Sequence, residues 1–264
     1  MKRANTCRIT TILTSFLLAT LLNGCSTGST KHTTSTVDFL YPETSNPMVT
    51  PDIPVMNLPL RVAIAFVPGE GGGTYGRHFL DIDARNKWQT GFVLAEKQKV
   101  GLMQEVANHF KQYPFIKDIQ IIPSADLSPG GSFTNLDRLR AMYGVDVIAL
   151  LSYDQAQFTD EGVASITYWT LIGAYIIPGE KNDTHTMLDA VVYDIKSRKM
   201  LFRAPGTSHT TGTATPVNLA EQLRADSNRG FEEAARNMIV NLDEQLALFK
   251  EKVKENPTEF KVIE

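Results

Sequence analysis

Apolar residues run almost unbroken through Leu60-Arg61-Val62-Ala63-Ile64-Ala65-Phe66-Val67 until Pro68-Gly69 stops them, which predicts a buried strand. The period then changes. From about Gly91 to Tyr113, Phe92, Ala95, Lys99, Leu102, Met103, Val106 and Phe110 recur at three or four residue spacing, and Pro114 follows, the pattern of a helix with one apolar face. Ile119-Gln120-Ile121-Ile122-Pro123 predicts a second strand. Leu136, Leu139 and Met142 predict a short helix, capped by Thr134 or Asn135 and stopped by Gly144. Val145 to Tyr153 is the third and most apolar strand. Val163 to Ile177 is also apolar, but it falls short of the roughly 20 residues of a membrane helix and is rich in β-branched and aromatic residues, so it reads as a strand. Thr186–Ile195 and Met200–Ala204 flank Lys196-Ser197-Arg198-Lys199 as a hairpin. A last stripe through Leu219, Leu223, Phe231, Ala235, Met238, Leu242, Leu246 and Phe249 predicts a long C-terminal helix, with Thr215 as N-cap and Pro216 at its first position. Asp226-Ser227 before Gly230 is a candidate break in it.

The order β-α-β-α-β-β-β-β-α predicts an α/β fold: one mixed β-sheet with helices packed on it, over residues 60–252. Residues 253–264 read as a polar tail that frays. Ahead of the domain, Ser26 to Thr36 is Ser/Thr/Gly-rich and reads as a flexible tether. Phe39, Leu40 and Tyr41 are expected to dock on the domain, and the Pro-rich residues 43–59 to lie over it as an extended strap.

The first 24 residues have a different character. Lys2, Arg3 and Arg8 precede an apolar stretch from Ile9 to Leu22, and Leu22-Asn23-Gly24-Cys25 follows. This is the layout of an export signal that ends in a lipoprotein cleavage site between Gly24 and Cys25. The expected product is acylated on Cys25 and held to a membrane by two or more chains. Ser26, where an aspartate would mark inner-membrane retention, favours the outer membrane. Without Lys2, Arg3 and Arg8 the 26 basic residues fall to 23 against 29 acidic ones, which argues against nucleic acid as partner. Cys7 and Cys25 are the only cysteines, so no disulfide is expected in the mature chain. His32, His78, His109, His185 and His209 show no spacing that would pair two imidazoles, and neither a metal nor another cofactor is expected.

Candidate chemistry is sparse. Gly71-x-Gly73-x-x-Gly76 fits a dinucleotide fingerprint in form, but no helical period follows it and a loop is the better reading. Ser208-His209 sets a nucleophile beside an imidazole, yet neighbours on a strand point apart. Asp81/Asp83, Asp160/Glu161 and Asp189/Asp194 show no spacing that makes two carboxylates converge. The one candidate binding surface is the end of the third strand, Tyr153, Asp154 and Gln155, with Arg138 and Arg140 on the preceding helix. Open α/β sheets often place crevices at such strand ends.

Val37-Asp38-Phe39-Leu40-Tyr41-Pro42, Met142 through Leu150, Tyr168-Trp169-Thr170, Pro178 through Asp183, and Tyr193 through Gly206 resemble the rhombotarget lipoproteins of proteobacteria. That resemblance implies an envelope lipoprotein that occurs with rhombosortase, an intramembrane protease, and it carries over no catalytic residues. The order of elements is also similar to the small mixed-sheet domains of lipoprotein activators of penicillin-binding proteins, of the curli-export lipoprotein and of the TolB N-terminal domain. The anchor, the tether and the absence of a catalytic constellation lead to the expected function, that of a non-enzymatic accessory factor contacting an unidentified envelope protein in assembly, secretion or cell-wall upkeep. One rival is a subunit of an oligomeric export pore, with residues 163–204 as membrane hairpins. Another is a hydrolase using Ser208 and His209.

Overall fold

Strands joined by helical crossovers pair in parallel, and strands joined by tight turns pair antiparallel; both happen in this chain. The computed structural model describes residues 27–42, 50–69, 94–161, 180–214 and 218–263. Its elements are β1 (Thr27–Thr33), α1 (Thr36–Leu40), β2 (Val55–Asn57), β3 (Leu60–Phe66), α2 (Glu96–Phe110), β4 (Ile116–Ile122), α3 (Ser132–Tyr143), β5 (Val147–Glu161), β6 (Glu180–Asp194), β7 (Lys199–Ala214), α4 (Leu219–Glu255) and β8 (Lys261–Ile263). The fold is α/β. In the main sheet the order is β4-β3-β5-β6-β7, with β4, β3 and β5 parallel and β5, β6 and β7 antiparallel.

Two partners share one flank of β5. Its first part, Val147 to Leu151, pairs in parallel with β3, and its later part, Asp154 to Asp160, pairs antiparallel with β1. The β1 pairing corrects the expectation of a flexible tether. A Ser/Thr/Gly segment cannot supply a core, but an edge strand needs only backbone partners, and β5 runs past the end of β3 with that flank open. Thr34 closes the junction: its N–H donates to the Tyr153 carbonyl at 3.1 Å, and its Oγ1 accepts from the Tyr153 N–H at 2.6 Å.

The core lies on both faces of the sheet. Ile64, Phe66, Val147, Ala149 and Leu151 face α2 and the C-terminal half of α4. Their alternates Ala63, Ala65, Val67, Ile148 and Leu150 face α3 and α1, so these central strands are apolar on both sides, as buried parallel strands are. Phe39 and Leu40 of α1 are buried against α3, and Tyr41 meets Phe133 edge-on. Gly144 ends α3 in the left-handed conformation (φ 65°) expected of a C-terminal glycine. Asn135 does not cap that helix; it is buried, and its amide bridges the Ser128 N–H and the Asp126 carbonyl to fold the turn ahead of α3.

Three further expectations change. Helix α4 runs unbroken for 37 residues, because Asp226, Ser227 and Gly230 are not breakers but the small or polar residues that fit against the sheet. The hairpin is far longer than its apolar stretch, since polar residues continue it from 180 to 214. The C-terminal residues are held rather than frayed: Phe260 is buried, and β8 pairs in parallel with β2, which also fixes part of the expected strap. β7 is an edge strand, and Asn237 and Asn241 of α4 donate to the Thr207 and Pro205 carbonyls, occupying acceptors that another chain could otherwise take. The signal and lipidation site (Gly24, Cys25), the glycine-rich segment 71–76, the apolar run 163–177 and the caps Thr215 and Pro216 lie outside the described residues.

Candidate functional site

The five residues of the expected strand-end surface do not come together. Tyr153 points to the α4 side, where its ring meets Phe231 edge-on and burial raises its phenol pKa. Gln155 is buried on that side too, donating to Thr186 Oγ1 at 2.8 Å and to the Ser227 carbonyl. Arg138 and Arg140 stand exposed on α3, which packs on the opposite face. Asp154 faces a shallow opening of about 280 Å³, which Gln155 also borders together with His185, Met187 and Thr207. The sequence reading failed here because side chains alternate across a strand, so three consecutive residues cannot share a face.

The same alternation separates Ser208 from His209. Ser208 is buried and donates to the Gly230 carbonyl of α4 at 2.7 Å. His209 is on the open face, stacked on His185 with ring centroids 4.2 Å apart and its Nε2 3.4 Å from Asp183 Oδ1. They form no nucleophile and base pair. The His185–His209 pair itself was missed, although both sit directly opposite each other in the hairpin. Asp189 and Asp194 have separate structural partners: Asp189 takes both carboxylate contacts of Arg203 Nε (2.8 and 2.9 Å), raising that guanidinium's pKa, and Asp194 accepts from the Ser197 N–H. Among the described residues, no group of three or more His, Cys, Asp or Glu could hold a metal ion.

The most developed concavity lies elsewhere, between the proximal half of the sheet and helices α2 and α4. It measures about 610 Å³, within the usual range for small-molecule sites. It exists because Ala149 of β5 and Ala190 of β6 withhold volume on the helix side of the sheet, while Phe110 and Leu246 keep the helices away from it. The β2–β8 pair closes one side with Met56 and Val262. Its lining is apolar apart from two charged residues, Lys250 and Lys254. The Lys250 ammonium sits 4.8 Å from the ring centre of Tyr113 and 4.5 Å from that of Phe115, and it has no carboxylate partner among the described residues. Lys254 is exposed and paired with Glu251 at 2.8 Å. Tyr113 is itself fixed by donating to Asp243 at 2.9 Å, a bond that raises its pKa, and Asp243 also holds His109. The concavity is partly open to solvent, so it is an accessible apolar groove and not a sealed void.

No family model matches the chain, and no curated protein is similar to it.

Proposed function

We propose that this chain is a lipid-anchored protein of the bacterial envelope, acylated at Cys25 and seated on the outer membrane, that works by contact with another envelope component and not by catalysis. The observation that carries the reading is the position of β1. Only Ser26 separates Cys25 from Thr27, and Thr27 pairs with Asp160 at the far end of β5. An anchor at Cys25 therefore holds that end of the sheet directly against the bilayer, without a long leash. Glu161 and Glu180, which bracket the apolar residues 163–177 in the sequence, pair with each other at the same end.

The pore reading fares worse on its own residues. Within 163–204, residues 188, 190 and 192 are buried in the core beneath α4, and none of these can face lipid. Among the described residues, the contact surface this reading favours is the open face of the distal sheet, where Phe158 and His209 are exposed on the same side as Asp154 and Met187. Metabolic labelling with palmitate and membrane fractionation test the anchor: wild type is expected to carry label and sediment with outer membranes, and Cys25→Ala to lose both. Label retained by Cys25→Ala would sink the reading. Crosslinking in the native envelope, with Cys25→Ala as control, then identifies the contact.

A further inference from the structure

We propose that the 610 Å³ cavity is a binding site for a free long-chain fatty acid, with the acyl chain inside and the carboxylate at Lys250. Four observations carry it. The lining is apolar except at one place, and the charges there are both positive, so the site complements a long apolar chain with a single anionic end. Lys250 is half-buried and held by two aromatic faces, not by a carboxylate; an entering carboxylate gains an ion pair without displacing one. From Lys250 back to Leu242 the cavity follows about 12 Å of helix axis at 1.5 Å per residue, an apolar run along which the methylenes of an acyl chain can lie. Finally, Phe115, beneath Lys250, accepts from the N–H of Leu60 at the start of β3, so the charged rim lies at the end of the sheet away from β1.

That last point excludes the protein's own lipid as the occupant. Leu151 and Val147 line the cavity, and Thr27 pairs with Asp160, so the cavity lies about 30 to 43 Å along β5 from the start of β1 at 3.3 Å per residue. An acyl group on Cys25 would have to leave its bilayer and span that distance. A free fatty acid has no such constraint, and it would be held clear of the membrane on which the protein sits. The inference goes beyond the anchoring reading, and because Cys25 is not among the lining residues the site can be tested in Cys25→Ala whether or not the chain is acylated.

The test is photolabelling of the full-length protein, wild type and Cys25→Ala, with a diazirine-bearing palmitate and with the matching hexadecanol, followed by peptide mapping. Palmitate is expected to label peptides around Val106–Ile119 and Leu242–Val253 in both proteins, and unlabelled palmitate to compete. Ala149→Phe, which fills the space, should lower that labelling at least tenfold without lowering the thermal midpoint; Ala190→Leu serves the same purpose if Ala149→Phe does not fold. Lys250→Gln should weaken palmitate labelling about tenfold and leave hexadecanol labelling unchanged. Three results would overturn the proposal: label confined to the N-terminal region or spread over the surface, labelling unaffected by a folded cavity-filling variant, or equal responses of acid and alcohol to Lys250→Gln.

Discussion

Under the N-terminal turns of α4 the sheet presents Gln155, Gln157, Thr184, Thr186 and Ser208, all buried; under its C-terminal turns it presents Ala149, Leu151, Val192 and Leu201, also buried. One helix thus covers two interiors of opposite chemistry. In the distal half the sheet reaches the helix backbone by hydrogen bonds: Gln155 to the Ser227 carbonyl, Gln157 to the Leu223 carbonyl and Ser208 to the Gly230 carbonyl. These bonds are directional, with lengths between 2.7 and 3.3 Å, so they tie the two layers at a set separation. In the proximal half the contact is apolar, which has no preferred direction and tolerates an exchange of volume. A large cavity can persist there and could not in the distal half.

The sharpest way to break this contrast is to enlarge a residue where the layers touch. A Cβ on Gly206 would lie 2.2 Å from the Ala234 carbonyl oxygen and 2.3 Å from the Met238 nitrogen, both backbone atoms of α4. Gly206→Val is therefore expected to cost about 3 kcal/mol or more, read as a lowered urea midpoint; an unchanged midpoint would mean that the helix is free to lift. Next is Gln155→Leu, which leaves Thr186 Oγ1 and the Ser227 carbonyl without its amide. The expected loss is about 1–2 kcal/mol, with faster amide exchange in β6 as a local signature.

Alkaline pH probes the other face of the sheet, where Tyr193 meets Phe133 of α3 edge-on. Burial raises the Tyr193 pKa to about 12, against about 10 for an unfolded tyrosine. Between those values the unfolded chain loses a proton that the native state keeps, so the stability this phenol lends is complete below about pH 10 and falls as pH rises toward 12. Tyr193→Phe should flatten that fall in urea titrations taken across the window, and a slope identical to wild type would contradict the assignment. The smallest effect is expected from Ala190→Val, whose added methyl groups enter the cavity: a change within about 1 kcal/mol of either sign. A loss near that of Gly206→Val would abolish the distinction between the halves.

The apolar half was the legible one. Periodicity placed β3, β4, α2 and α4 and the first part of β5, because there the buried residues are also the hydrophobic ones. The distal half has a polar interior, so β1 reads as tether, β6 and β7 read as a short hairpin, and Asp226-Ser227 reads as a break. The hairpin register was hidden for a specific reason. Counting outward from the turn pairs Asp194 with Lys199, and the same count would set His185 opposite Ser208. A bulge between Val192 and Tyr193 shifts the pairing by one, and His185 meets His209. Nothing in the local sequence marks that bulge. The cavity was equally silent, since it arises from the spacing of layers around Ala149 and Ala190 and not from any motif.

β1 has a mechanical consequence. It runs from Thr27, beside Asp160, back toward Thr33, beside Asp154, so its leading end points outward along the strand axis. Tension applied through the residues preceding Thr27 pulls the strand lengthwise past β5, and the ladder is loaded in shear, its hydrogen bonds sharing the force and yielding together instead of opening one at a time like a zipper. Tension applied at Thr34 would instead peel the strand from its inner end. Force entering through the residues before Thr27 would therefore meet far more resistance than the modest size of that strand suggests.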